Sequence, residues 1–431
     1  MNVLVVLPVL VPLVTVAACL VAWRRPEIQR FFGIAGAFGL LGVGLVLVAR
    51  TWSEGILVST MGGWPSPFGI SLVIDLFSAI MITLAGLMGA AVAVYSVGNI
   101  SWDRVRLGFY PLLNALLLGV SGAFSTGDVF NLYVWFEVML LSSFGLLGLG
   151  GERGQIVGSV RYVALNLVSS MLFLMGAGLL YGTARSLNMA DLALRLPQIA
   201  VEQPDLMLAV SGFFFVSFAL KAGIFPLYFW LPVSYHTPPA AIAALFAGLL
   251  TKVGVYALIR VFGMVLPPSP QLFELTLVLA GATMLLGVLG AVSQMDMRRV
   301  LSFHVLSQIG YMVLAFGLLA TPDESTRQLG IAAAVLYITH HIIVKTNLFL
   351  VGGLVRDAGG SFDLDNLGGL ARRVPWLAVL FLVPALSLAG LPPLSGFWAK
   401  LAVLEATLVA ERYVLAGIAI LAGLLTLLSM L

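Results

Sequence analysis

Stretches of 18 or more predominantly apolar residues recur along this chain from one end to the other. Backbone amides and carbonyls find no water inside a bilayer, so segments of this length and composition cross it as helices. The fold class that follows is an all-α polytopic membrane protein. Thirteen spans are predicted: Val3–Ala22, Phe31–Ala49, Gly69–Ser96, Leu107–Phe124, Val129–Gly150, Ser159–Gly182, Leu206–Pro226, Ala240–Phe262, Leu272–Val292, Val300–Ala320, Leu329–Leu354, Pro375–Leu404 and Tyr413–Leu431. Only 10% of the 431 residues are charged, against about a quarter in soluble domains, and no long polar segment leaves room for one. No basic leader or small-residue cleavage site flanks the first stretch, which is read as a retained span. The chain stops within an apolar stretch, so a last span is expected to be missing.

Alternate loops differ in arginine content. Arg24, Arg25, Arg30, Arg104, Arg106, Arg153, Arg298, Arg299, Arg356, Arg372 and Arg373 fall in one set of loops. The other set holds Arg50, Arg185, Arg195, Arg260, Arg327 and Arg412. The richer set is assigned to the cytoplasm, which puts the N-terminus outside. Cys19, the single cysteine, lies in the first span and rules out a disulfide framework or a cysteine metal site. The net charge of +3 is spread over loops, which argues against nucleic-acid binding.

The chain has four lysines, Lys221, Lys252, Lys345 and Lys400, and all four fall within apolar spans. A lysine at the centre of a spanning helix costs about 2.5–3.5 kcal/mol on insertion scales. The arginines sit in loops or near span ends. A desolvated ammonium can shed its proton whereas a guanidinium cannot, so this partition points to proton transfer. The competing reading is that each lysine snorkels or neutralises a buried acid.

Acids within spans are scarce. Glu137 lies near the middle of span five, with Lys221 as its expected ion-pair partner. Asp75 and Glu405 lie near span ends and are read equally well as buried or interfacial. His341 and Lys345 are four apart and share a helix face, as do His304, Gln308 and Tyr311. Adjacent His340 points about 100° away from His341, so these two cannot grip one haem iron from the same face. His236 precedes Thr237-Pro238-Pro239, where a helix start is expected.

Two spans carry internal breaks. Lys221 lies five residues before Pro226, and Lys400 follows Gly390-Leu391-Pro392-Pro393. Proline interrupts a helix and frees carbonyls that need partners at membrane depth, and in transporters such discontinuous helices line ion sites. The segments Ala222–Leu227 and Ala389–Leu394 match at an offset of 389 − 222 = 167, and the same offset lays Phe136-Glu137-Val138 on Phe303-His304-Val305. Spans five and seven thus fall on spans ten and twelve. A shift of five spans implies an inverted repeat. The expected organisation is residues 1–106 as N-terminal helices, 107–262 as a first five-helix repeat, and 272–431 as its inverted copy, truncated at the C-terminus.

These residues resemble a known family. Phe136-Glu137, Leu220-Lys221-Ala222-Gly223, His236-Thr237-Pro238-Pro239-Ala240-Ala241, Leu250-Thr251-Lys252, Asp296–His304 and Leu394-Ser395-Gly396-Phe397 are similar to the antiporter-like subunits of respiratory complex I, membrane-bound hydrogenases and Mrp-type multisubunit Na+/H+ antiporters. Within that family the likeness is to the D-type Mrp subunits. The resemblance implies fourteen helices, with spans four to eight repeated inverted in nine to thirteen. It also implies a proton path from the Glu137–Lys221 pair through Lys252, His341 and Lys345 to Lys400. It further implies no cofactor, H+ and Na+ as substrates, other hydrophobic membrane subunits as partners, and the bacterial cytoplasmic membrane as the location. Thirteen spans instead of fourteen are the one departure.

Three other functions compete. A proton-pumping subunit of complex I or a hydrogenase would share the lysines but take its drive from redox partners. A haem- or quinone-binding electron-transfer subunit would need histidines paired across helices. A non-transporting scaffold would tolerate methionine at the lysines. No clustered carboxylates in the spans mark a Na+ site.

Overall fold

The computed structural model describes residues 2–321 and 323–430. The order of helices is α1 (Val3–Val21), α2 (Pro26–Glu54), α3 (Leu76–Asn99), α4 (Trp102–Arg106), α5 (Phe109–Ser125), α6 (Val129–Gly148), α7 (Arg153–Ala184), α8 (Met189–Glu202), α9 (Pro204–Ala222) and α10 (Trp230–Tyr235). There follow α11 (Ala240–Leu245), α12 (Thr251–Arg260), α13 (Pro270–Val292), α14 (Met297–Gly317), α15 (Glu324–Gly359), α16 (Leu370–Arg373), α17 (Pro375–Ala389), α18 (Ser395–Val409) and α19 (Tyr413–Met430). Among the described residues, eleven helices are long and apolar enough to cross a membrane, and two shorter apolar ones, α5 and α17, accompany them. The chain is an all-α multi-spanning membrane protein. Leu431, the predicted end of the thirteenth span, lies outside the described residues.

The chain forms two compact units, Met1–Lys221 with Tyr256–Pro267, and Ala222–Val255 with Pro268–Leu431. Their internal contacts follow one pattern. In the first unit Asp128 caps α6 by accepting from the Asn131 amide, and residue 128 forms an antiparallel bridge with Asn188. In the second, Asp296 caps α14 by accepting from the Arg299 amide and bridges Asp363. Such caps satisfy amides that the first helical turn leaves open. A Cβ on Gly119 would lie 2.7 Å from the Met139 amide nitrogen, and one on Gly287 would lie 2.4 Å from that of Ser307. Small residues let α5 and α6, and likewise α13 and α14, approach at backbone distance.

These contacts correct the sequence register. They align α6 with α14 at 296 − 128 = 287 − 119 = 168, one more than the 167 read from Phe136-Glu137-Val138. At that offset Phe136 falls on His304, and Glu137 on Val305. A three-residue match cannot resolve a one-residue shift, whereas caps and glycine contacts fix it sterically.

Both broken spans end their first segment the same way. Gly223 (φ 79°) follows α9 and Gly390 (φ 95°) follows α17, a left-handed conformation that suits glycine as a helix C-cap. Each break contains a cis X-Pro bond, Phe225–Pro226 and Pro392–Pro393. Helix resumes at Trp230 and at Ser395.

The strands and the amphipathic α8 were among the elements not predicted. Residues Gly69–Ile74, assigned to span three, contain a strand. β2 (Ser71–Ile74) pairs antiparallel with β1 (Leu57–Thr60), Leu57 opposite Ile74. The helix cannot extend upstream because Asp75 caps α3 by accepting from the Ser78 amide at 2.8 Å. The amphipathic α8 falls in a stretch read as loop. Asn188 starts it, accepting from the amides of Ala190 at 3.1 Å and Asp191 at 3.2 Å.

Candidate functional site

Lys221 occupies the last turn of α9, where unpaired carbonyls favour a cation. Its side chain is buried, with Nζ 3.5 Å from Ser170 Oγ of α7 and 4.8 Å from the Phe136 ring centroid. Phe136, Phe173, Phe214 and Phe218 are linked by ring contacts of 5.3–6.1 Å, forming an aromatic wall beside the ammonium. Glu137, half-buried on α6, has a buried Oε1 without a hydrogen-bond partner. No ion pair within 4 Å joins it to Lys221; it acts on Lys221, Tyr133 and Tyr162 at longer range. The Phe136 face stands under the ammonium, a cation–π contact.

In the second unit Lys252, His341 and Lys345 are each 0% exposed. A π-helical turn at Phe246–Leu250 precedes Lys252, and the Ala247 carbonyl within it accepts from Lys252 Nζ. Such turns widen the hydrogen-bonding ring and recur at functional sites. Lys345 Nζ donates to the Leu301 carbonyl of α14 at 3.1 Å. His341, one turn earlier on α15, has both ring nitrogens buried and without hydrogen-bond partners. The charge on Lys252 is felt at both His341 and Lys345.

Lys400 lies across the break of its own span. Its Nζ donates to the Ala389 carbonyl, the last of α17, at 2.8 Å, and sits 5.2 Å from the Tyr311 ring centroid. A cavity of about 250 Å³ opens on it between the break and α19, lined also by Ala419, Gly423 and Leu427. Tyr311 stacks on Tyr337 at 5.1 Å and 8°, and Tyr337 donates to Gln308 Oε1 at 2.5 Å. His304, Gln308 and Tyr311 share a face as expected but do not bond to one another. His304 Nε2 meets Ser429 Oγ at 2.6 Å, and Tyr311 OH donates to the Ala419 carbonyl.

One property unites the four lysines. Each ammonium is held by neutral oxygen, a hydroxyl or a backbone carbonyl, and all seven ion pairs among the described residues use arginine. A buried charge without a counter-charge is costly unless it can be discharged, and lysine can release its proton. The chemistry that suits the arrangement is proton loading and release.

The remaining candidates separate. Asp75 pairs with Arg260 at the start of α3, Glu405 is exposed on α18, and His236 Nδ1 contacts the Pro232 carbonyl at 2.6 Å. Ser170 and Tyr337 went unnoticed in the sequence, and His340 was weighed there only as a haem ligand. His340 Nδ1 lies 3.0 Å from Ser395 Oγ at the break. Tyr337 stands four residues before His341, a spacing that would have placed it on the same face; nothing in the sequence marked Ser170.

Buried lysines beside broken helices define a class of multi-spanning membrane protein suited to moving protons. Residues 126–426 match the family described as NADH:quinone oxidoreductase/Mrp antiporter, transmembrane, and the chain belongs to it. It is 46% identical over 431 residues to the D-type subunit of the Na(+)/H(+) antiporter from Alkalihalophilus pseudofirmus, covering all of this chain and 86% of that one. It is 37% identical over 433 residues to the namesake of that protein from Bacillus subtilis, again covering 100% and 86%. Among solved structures, a chain of the Mrp complex from Dietzia sp. DQ12-45-1b superposes with a TM-score of 0.92 at 34% identity, covering 100% of this chain and 79% of that one. A chain of the membrane-bound sulfane sulfur reductase, an archaeal respiratory membrane complex, superposes with a TM-score of 0.93 at 25% identity, covering 100% and 86%.

Proposed function

We propose that this chain is the proton-translocating subunit of a multisubunit Na+/H+ antiporter in the bacterial cytoplasmic membrane, assembled with other hydrophobic subunits. Protons move by way of Lys221, Lys252, His341, Lys345 and Lys400, with Glu137 setting the charge on Lys221 from a distance. The observation that carries this reading is the set of four buried ammonium groups, each hydrogen-bonded to a neutral oxygen and none ion-paired among the described residues. Desolvation favours the neutral amine, and a neighbouring charge shifts that balance. Arrival of a proton at one lysine therefore promotes release from the next. The breaks after Ala222 and Ala389 free carbonyls, and the second borders a cavity, where protons enter or leave. The repeated caps and glycine contacts support an inverted repeat as the scaffold.

The test is ion exchange in energised vesicles carrying the assembled complex. Lys221→Ala and Glu137→Ala should abolish transport while the complex still assembles, and full exchange in Lys221→Ala would refute the reading. The likeness to an archaeal respiratory complex favours one second reading, a proton-pumping role powered by redox chemistry elsewhere. A mild-detergent pull-down separates the two, since iron–sulfur, flavin or nickel partners belong only to the second. The haem alternative fits poorly. His236, His304 and His340 each already engage an oxygen of this chain.

A further inference from the structure

We propose that the oxygens around Arg260 form a monovalent cation site, in which the guanidinium holds the place that Na+ takes. The proposal deepens the antiport reading and rests on it for the identity of the ion. Asp75, the cap of α3, accepts from Arg260 Nη2, and the same nitrogen lies 2.9 Å from Ser78 Oγ. Arg260 Nε donates to Tyr256 OH at 2.9 Å. That hydroxyl is 3.0 Å from Ser78 Oγ and donates to the Phe124 carbonyl at 3.0 Å. One carboxylate and two hydroxyls therefore converge from α3 and α12 on a single positive group, and the Phe124 carbonyl of α5 is tied to them through Tyr256. Hard cations take oxygen ligands of this kind. Phe124 lies in the last turn of α5, whose dipole also favours a cation.

Arginine cannot give up its charge, so it is displaced by a cation only by moving. The structure provides the space. A cavity of about 310 Å³ borders Arg260, with Ile56, Val58 of β1, Met189 and Met264 on its walls. On that side Arg260 Nη1 meets the Met264 sulfur, 3.1 Å away, a weak acceptor. The guanidinium swings toward the cavity when Na+ enters, and returns when Na+ leaves. Arg260 thereby acts as a tethered competitor that keeps the carboxylate paired between cycles.

The test is equilibrium binding of radioactive Na+ to the purified, assembled complex, alongside ion exchange in vesicles. Asp75→Asn should remove one saturable Na+ component. Ser78→Ala and Tyr256→Phe each remove one neutral ligand and should weaken that component about three- to tenfold. Arg260→Gln removes the competitor and should tighten it by about tenfold or more. Unchanged binding in Asp75→Asn and Ser78→Ala overturns the site. If Asp75→Asn does not assemble, Ser78→Ala and Tyr256→Phe decide by the same criterion. Binding and exchange fail independently. Na+ binding that depends on these residues, without Na+-driven proton movement in the wild type, sinks the antiport reading and leaves the site. Exchange with unaltered binding does the reverse.

Discussion

Replacing Lys252 by methionine separates the needs of function from those of stability. Lys252 is fully buried, and its ammonium donates to the Ala247 carbonyl in the π-turn. A lysine at membrane depth costs about 2.5–3.5 kcal/mol, which the nearly isosteric methionine removes. Against this, the Ala247 carbonyl loses its partner, at a cost of about 1–3 kcal/mol. The difference runs from roughly −0.5 to +2.5 kcal/mol of added stability. Exchange should fall by about 100-fold or more, since the group that accepts and releases protons has gone. Thermal unfolding of the assembled complex and ΔpH-driven ion exchange in vesicles read the two quantities on one preparation. A variant that exchanges at the wild-type rate refutes the relay role. One that is strongly destabilised refutes the argument that this lysine is kept for function and not for folding.

Other substitutions test neighbouring steps. Lys400→Arg keeps the charge beside the Ala389 carbonyl but cannot release a proton, so exchange should fall at least about 100-fold with assembly intact; retained exchange would mean fixed charge suffices. Gly396→Ala places a Cβ 1.7 Å from the Ser387 carbonyl oxygen and should cost about 3 kcal/mol or more, seen as loss of the assembled complex on native gels. Glu137→Gln should abolish exchange and Glu137→Asp should restore part of it, because the acid acts on Lys221 through charge and not through a direct bond. Equal activity in the two would show that the charge is irrelevant.

The spans were legible because hydrocarbon leaves the backbone few choices, and apolar length alone reports that constraint. All four lysines were legible for the same reason, as costly exceptions in apolar stretches. What failed was of other kinds. Strand β2 is short and apolar, so composition does not distinguish it from the start of a helix; the Asp75 cap decides, and it depends on the side chain finding the Ser78 amide. The Glu137–Lys221 contact was inferred from charge alone, whereas in the structure Phe136 lies beneath the ammonium. Asp75 and Arg260 are 185 residues apart, and no local pattern signals that pair.

The corrected register bears on how the two units divide the work. Tyr162 meets Ser143 in the first unit and Tyr337 stacks on Tyr311 in the second, at offsets of 337 − 162 = 175 and 311 − 143 = 168. The bridged residues Asn188 and Asp363 repeat the offset of 175. Applied along α7 and α15, it makes Ser170, the partner of Lys221, equivalent to Lys345. On α6 and α14, Glu137 falls on Val305 and Phe136 on His304. The 167 offset between Gly223 and Gly390 makes Lys221 equivalent to Leu388. Caps, bridges and glycine contacts therefore recur at matching offsets, Asp128 with Asp296 and Tyr162 with Tyr337 among them, while Glu137, Lys221, His304 and Lys345 fall on residues that carry no charge. The lysines and Glu137 take no part in those recurring contacts, so charges placed differently are free to serve different steps. Lys221 lies before its break and Lys400 after its own, yet each ammonium sits at the C-terminal end of a half-helix. The shared element is thus the broken helix end, which stabilises a transient positive charge whichever side of the break the lysine comes from.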